Sequence, residues 1–134
     1  MADNQKFSFR KEERLCSKKL IDLVFKEGRS FHSFPFKALW KTTPLPMPVP
    51  VQVAFMIPKR NVKRAVDRNR VRRQMREIYR HHRHLLTETC TLTNNQVVLV
   101  VVYNGKNHLS FAEMESKIIL ILHRLVETLQ ADDQ

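Results

Sequence analysis

The sequence predicts an α+β domain, an α/β sandwich in which helices pack on a small mixed sheet, and three observations carry that prediction. Apolar residues recur with helical spacing over about 18–27, onward from about 65, and over 110–129. They alternate over 34–41 and 51–57, as in half-buried strands. They run unbroken from Val97 to Tyr103, as in a strand buried on both faces. The order helix, two strands, helix, strand, helix gives three main helices in one domain over 1–134, with flexible ends at about 1–6 and 130–134. At 134 residues and 43% hydrophobic, one core suffices without staples.

Residues 6–16 mix charge with Phe7, Phe9 and Leu15 and read as an extended segment anchored by its aromatics. Ser17 is placed to cap the first helix, with Leu20, Ile21, Val24 and Phe25 as its apolar stripe and Gly28 as its stop. In the first strand Phe34, Phe36, Ala38 and Trp40 share a face, opposite Pro35, Lys37, Leu39 and Lys41. Every second residue from Pro44 to Pro50 is proline, which reads as an extended loop. The next strand sets Val51, Val53, Phe55 and Ile57 against Gln52, Ala54 and Met56. If these two strands pair with their aromatic faces on the core, Lys37, Leu39, Gln52, Ala54 and Met56 line a sparsely filled opposite face, a cleft. Thr87 to Asn95 reads as a polar turn, and the 97–103 strand as central. Ser110 and Glu113 form a capping box for the last helix, whose stripe is Phe111, Met114, Ile118, Leu122, Leu125 and Leu129. Ile119, Leu120 and Ile121 make that helix apolar nearly all round and predict cover on two sides.

Charge is the functional signal. Eleven of the 24 Lys and Arg residues lie in 59–84, against Asp67 and Glu77, so nine of the eleven net positive charges sit there. An excess this local implies a polyanionic partner, with nucleic acid the first candidate. On a helix from about Ala65, Val71, Met75, Ile78 and His82 cluster with Leu85 and Leu86 on one side. Asn69, Arg72, Arg73, Arg76, Arg80 and Arg83 share the other side, and Arg68 falls on the apolar margin, along the seam with whatever packs beneath. Like charges four apart repel by a few tenths of a kcal/mol per pair, a cost that an external anion offsets. A solvated basic face is the plain alternative, and a membrane surface a weaker one, since the apolar side lacks Trp and Phe.

Chemistry of other kinds is sparse. Cys16 and Cys90 read as free thiols in a reduced, cytoplasmic setting. The sequence MADNQKF lacks the apolar core of a signal peptide, and no apolar run is long enough to span a bilayer. His81, His82 and His84 read as a solvated cluster, and Glu12-Glu13 and Asp132-Asp133 as surface charge in flexible segments. With only Gly28 and Gly105 there is no glycine-rich phosphate loop, and no autonomous active site is apparent.

The block K-R-N-V-K-R-A-V-D-R-N-R-V-R-R-Q-M-R at 59–76 resembles the signature of the bacterial ribonuclease P protein subunit. F-S-F-R-K-E-E-R-L near the start, L-V-F-K-E-G-R-S-F at 23–31 and S-F-A-E at 110–113 are similar to it as well. The resemblance implies a left-handed β-α-β crossover, a rare exception among such connections. It implies binding of the catalytic RNA of ribonuclease P through Lys59, Arg60, Asn61, Lys63, Arg64, Arg68, Asn69, Arg70, Arg72, Arg73, Arg76 and Arg80. It further implies a cleft of Ile21, Phe25, Lys37, Leu39, Met56 and Arg60 for the single-stranded 5′ leader of precursor tRNA. The RNA partner would cut the leader phosphodiester, with Mg2+ held mainly by RNA and no catalytic group in the protein. Ile21 and Leu39 stand where the family more often has aromatics, and Lys63 where it often has glycine. A ribosomal or RNA-chaperone protein is the alternative from another class. DNA binding is weaker still, since no paired recognition helix or dimerisation segment is apparent.

Overall fold

The structure is a computed structural model and describes residues 10–105 and 109–132. Phe7 and Phe9 lie outside the described residues. A single 3-10 turn at Lys11–Glu13 is followed by α1 (Lys18–Glu27), β1 (Arg29–Ser33), β2 (Phe36–Thr42) and β3 (Val51–Met56). Then come α2 (Ala65–His82), α3 (His84–Leu92), β4 (Val97–Tyr103) and α4 (Phe111–Asp132). The mixed sheet has the order β1-β2-β4-β3, with β4 antiparallel to β2 and parallel to β3. β4 is central, as its unbroken apolar run demands, and every residue from Val97 to Val101 is buried.

Three expectations need correction. First, β2 and β3 are not paired, because β4 lies between them; their aromatic faces still meet the same core. Second, R-S-F-H-S forms an edge strand that alternation alone did not reveal, since only Phe31 is apolar; its ring stacks on Trp40 at a centroid distance of 6.2 Å. Third, the segment 87–95 read as a polar turn is mostly helical, so there are four helices rather than three. Its threonines are accommodated within the helix: the Thr89, Thr91 and Thr93 hydroxyls donate to the carbonyls of Leu85, Thr87 and Thr89. Leu86, Thr89 and Cys90 supply its buried side.

The sheet separates two apolar layers. On one face Phe36, Ala38, Trp40, Val53, Phe55 and Leu99 meet α2, α3 and α4. On the other, Leu39, Val98 and Val100 are covered by Leu15 and by Val24 of α1. The second face is therefore not the open surface expected. Leu39 and Gln52 are buried there.

The hand of the crossover follows from the backbone. Val97 N–H donates to the Pro50 carbonyl while Leu15 N–H donates to the Val53 carbonyl on the outer edge, so even-numbered residues of β3 turn their peptide groups toward β4. For L-residues in an upward strand viewed from the Gln52, Ala54 and Met56 side, those groups point right. β4 therefore lies to the right of β3, with α2 and α3 behind the sheet, and the connection is left-handed.

The caps agree with the sequence at both outer helices. The Ser17 hydroxyl accepts from Leu20 N–H at 3.3 Å, and Ser110 and Glu113 bond reciprocally. Gly28 ends α1 in ordinary extended geometry, not in the left-handed region. Its requirement is space: an added Cβ would sit 2.3 Å from the Val24 carbonyl oxygen. The last helix continues to Asp132, whose carboxylate meets Arg29 at 2.7 Å. Its cover is incomplete, with Phe111 and Leu120 exposed.

Candidate nucleic-acid interface

The arginines of α2 divide by what they touch. Arg68 does follow the seam: its guanidinium donates to the carbonyls of Val62 at 3.0 Å and Lys63 at 2.7 Å, closing the turn that leads into the helix. Asn61 ties that turn to the Tyr103 carbonyl at 3.3 Å. Arg72 reaches the Phe55 carbonyl on the outer edge of β3 at 3.4 Å and Asn69 at 2.9 Å. Arg64 and Arg70 flank Asp67, and Arg80 meets Glu77 at 2.6 Å. Arg83 departs from the expected stripe. It is buried at the α2–α3 junction against Glu13, at 2.9 Å. Glu13 is accordingly an anchor and not flexible surface charge.

Arg73 and Arg76 stay exposed on α2, as do Lys59, Arg60 and Lys63 on the preceding turn, and no ion pair engages any of these five among the described residues. Partial burial, then the nearby charges of Arg14 and Arg72, hold the Arg76 pKa below its ordinary value. Arg14 was missed in the sequence because a lone Arg in K-E-E-R-L gives no sign of the helix it will face. The histidines do not form one cluster: His81 meets Glu77 and His82 meets Glu115, each at 3.0 Å. Among the described residues no three His, Cys, Asp or Glu side chains converge as a metal site.

The half-buried part of this sheet face is narrower than expected and displaced to one end. Pairing register puts Lys37, Val102 and Met56 in one row across β2, β4 and β3, all half-buried. The next row, Leu39, Val100 and Ala54, lies mostly under α1. Glu27 of α1 reaches Lys41 at 3.7 Å, at the far end of β2. By helical phase Ile21 and Phe25 then lie on the opposite flank, toward the Lys37 row. Ile21 packs into the cluster that includes Met56 and Val102, while Phe25 is 50% exposed. Arg60 follows β3 at the same end of the sheet. Ile21, Lys37 and Met56 thus border the same end of this face, and Leu39 is buried in the layer under α1.

A family model described as Ribonuclease P matches residues 9–126. The chain belongs to the ribonuclease P family. Among proteins named ribonuclease P protein component, that of Chlorobium phaeobacteroides is 31% identical over 128 residues, covering 88% of each chain. That of Porphyromonas gingivalis is 31% identical over 97 residues, 72% of this chain and 69% of the relative. The ribonuclease P protein of Thermotoga maritima shares the fold with a TM-score of 0.66 at 22% identity, covering 84% of this chain and 96% of that one. The Staphylococcus aureus protein does so with a TM-score of 0.65 at 14% identity, covering 85% and 97%. The ribonuclease P family match spans β3, the basic turn and all of α2, the elements that carry the candidate interface. Among the described residues no helix is long and apolar enough to cross a membrane.

Proposed function

We propose that this protein is the RNA-binding subunit of ribonuclease P, which removes the 5′ leader from precursor tRNA in the cytoplasm. The observation that carries this reading is the exposed cationic face of Arg73, Arg76, Lys59, Arg60 and Lys63 in a chain of this family. The cationic face is assigned to the phosphates of the catalytic RNA, where the planar guanidinium forks suit bidentate contacts. Arg68, Asn61 and Arg72 hold the turn and helix in place for that face.

The half-buried part of the sheet face is assigned to the single-stranded leader. Phe25 offers a ring for stacking, Met56 and Ile21 an apolar wall, and Lys37 and Arg60 positive charge for the backbone. No proton-transfer group is required of these residues, because phosphodiester hydrolysis is assigned to the RNA partner. Mg2+, held mainly by RNA, would supply charge stabilisation and an activated water to that reaction. The protein's part is to bind and orient the leader.

The test is cleavage of a precursor tRNA at low Mg2+ by the cognate ribonuclease P RNA, with and without the protein. Wild type should restore cleavage, and Arg73→Ala combined with Arg76→Ala should not, while keeping the wild-type melting temperature. Failure of folded wild-type protein to restore cleavage would refute the proposal and favour a ribosomal or chaperone role.

A further inference from the structure

The outer edge of β3 carries an arrangement that the arginine-rich helix alone does not explain. Two outward carbonyls of that edge are engaged in succession: Val53 by Leu15 N–H at 3.0 Å and Phe55 by the Arg72 guanidinium at 3.4 Å. They lie two residues apart, roughly 7 Å along the strand. Helix α2 runs back down the same edge, since Arg72 meets Phe55 near its middle and Arg83 meets Glu13 just past its end. One helical turn beyond Arg72, about 5.4 Å, Arg76 is therefore level with Val53. Arg14 is the residue bridged to Val53 in register. Three arginines from two elements are placed side by side.

The N-terminal segment is held there firmly. Gln52 donates to the Glu12 carbonyl at 2.9 Å, Leu15 is buried in the core under α1, and Glu13 pairs with the buried Arg83. Partial burial first, and then the charges of Arg14 and Arg72 close by, hold the Arg76 pKa below its ordinary value. An anion held between guanidinium groups of two elements meets charge-assisted donors from both.

We propose that Arg14, Arg72 and Arg76 form one phosphate-binding site along the edge of β3, so that the N-terminal segment takes part in gripping an RNA strand. The site takes a single phosphodiester group. The proposal rests on the RNA-binding reading above and extends the interface from α2 onto the residues preceding α1.

The test measures binding of the full chain to ribonuclease P RNA and to an unrelated structured RNA of equal length, over a series of salt concentrations. Arg14→Gln should weaken binding roughly tenfold and lower the slope of log affinity against log salt by about 0.7 to 0.9. Arg14→Lys should restore most of the slope, and Lys117→Gln on α4 should leave it unchanged. Arg14→Gln with Arg76→Gln should lose less than the product of the single losses, because one phosphate is shared. An unchanged slope for Arg14→Gln, or single losses that multiply, would overturn the site. If the slope falls on both RNAs but wild type neither prefers ribonuclease P RNA nor restores cleavage, the site stands and the ribonuclease P reading falls. A wild type that prefers ribonuclease P RNA, with Arg14→Gln indistinguishable from it, leaves that reading standing and removes the site.

Discussion

Arg83 closes α2 with its guanidinium 2.9 Å from the Glu13 carboxylate, and the two side chains are only 8% and 13% exposed. The pair joins the first described segment to the junction of α2 and α3. Removing one partner leaves a buried charge alone, which costs about 3–5 kcal/mol. Arg83→Ala should therefore lower unfolding free energy in urea by that amount. Glu13→Leu with Arg83→Met should lose much less, because no charge is then stranded. Equal losses in the single and double variants would mean that packing, not the ion pair, holds the segment.

The arginines of α2 should separate into two kinds by experiment. Arg68 holds two carbonyls of the preceding turn and is half-buried, so Arg68→Ala should cost about 1–3 kcal/mol of stability and weaken RNA binding as a consequence. Arg73 is exposed, so Arg73→Ala should leave urea unfolding within about 0.5 kcal/mol of wild type. It should nonetheless weaken binding and lower the salt slope by roughly one contact. The same stability change in both variants would contradict this division.

What the sequence made legible was periodicity and charge. The buried β4 run, the α1 stripe, both serine caps and the basic helix follow from local spacing, and the structure forms them where the spacing puts them. What it hid depends on partners distant in the chain. Strand β1 buries little apolar surface because it lies at the sheet edge, so its side chains did not need to alternate cleanly. Helix α3 hides its buried side in Thr89 and Cys90, residues whose polarity suggests a turn until their hydroxyl and thiol are seen packed inward. Arg83 has the helical phase of the stripe, yet Glu13, 70 positions away, draws it inside. Leu39 was legible as sharing the Lys37 face of its strand, but not as lying under α1, because no residue spacing reports how close a helix sits on a sheet.

Phe25 and Leu39 should now behave oppositely. Phe25 is half exposed on the flank of α1, so Phe25→Ala should leave folding nearly intact. On the proposed reading it should weaken binding of a short single-stranded leader oligonucleotide by about 1–3 kcal/mol, the worth of one stacked base. Leu39 is 6% exposed in the layer beneath α1, so Leu39→Ala should cost about 2–5 kcal/mol of stability through the cavity it leaves. Unchanged oligonucleotide affinity in Phe25→Ala would remove that ring from leader binding.

Alkaline pH should unfold the protein through groups buried in their neutral forms. Burial pushes the Cys90 thiol up to about 11 and raises Tyr79 and Tyr103 as well. A group whose folded pKa is raised contributes stability that is complete below its unfolded value and is lost as pH rises toward the folded one. For Cys90 that window runs from about 9 to about 11. Urea midpoints should hold steady to about pH 8.5 and then fall, and Cys90→Ala should show a shallower fall than wild type. The same thiol should resist a thiol reagent at pH 8 until the protein is unfolded, while the exposed Cys16 reacts at once. Two fast-reacting thiols in the folded protein would show that α3 opens readily, and would move the source of the alkaline loss from proton linkage to local unfolding.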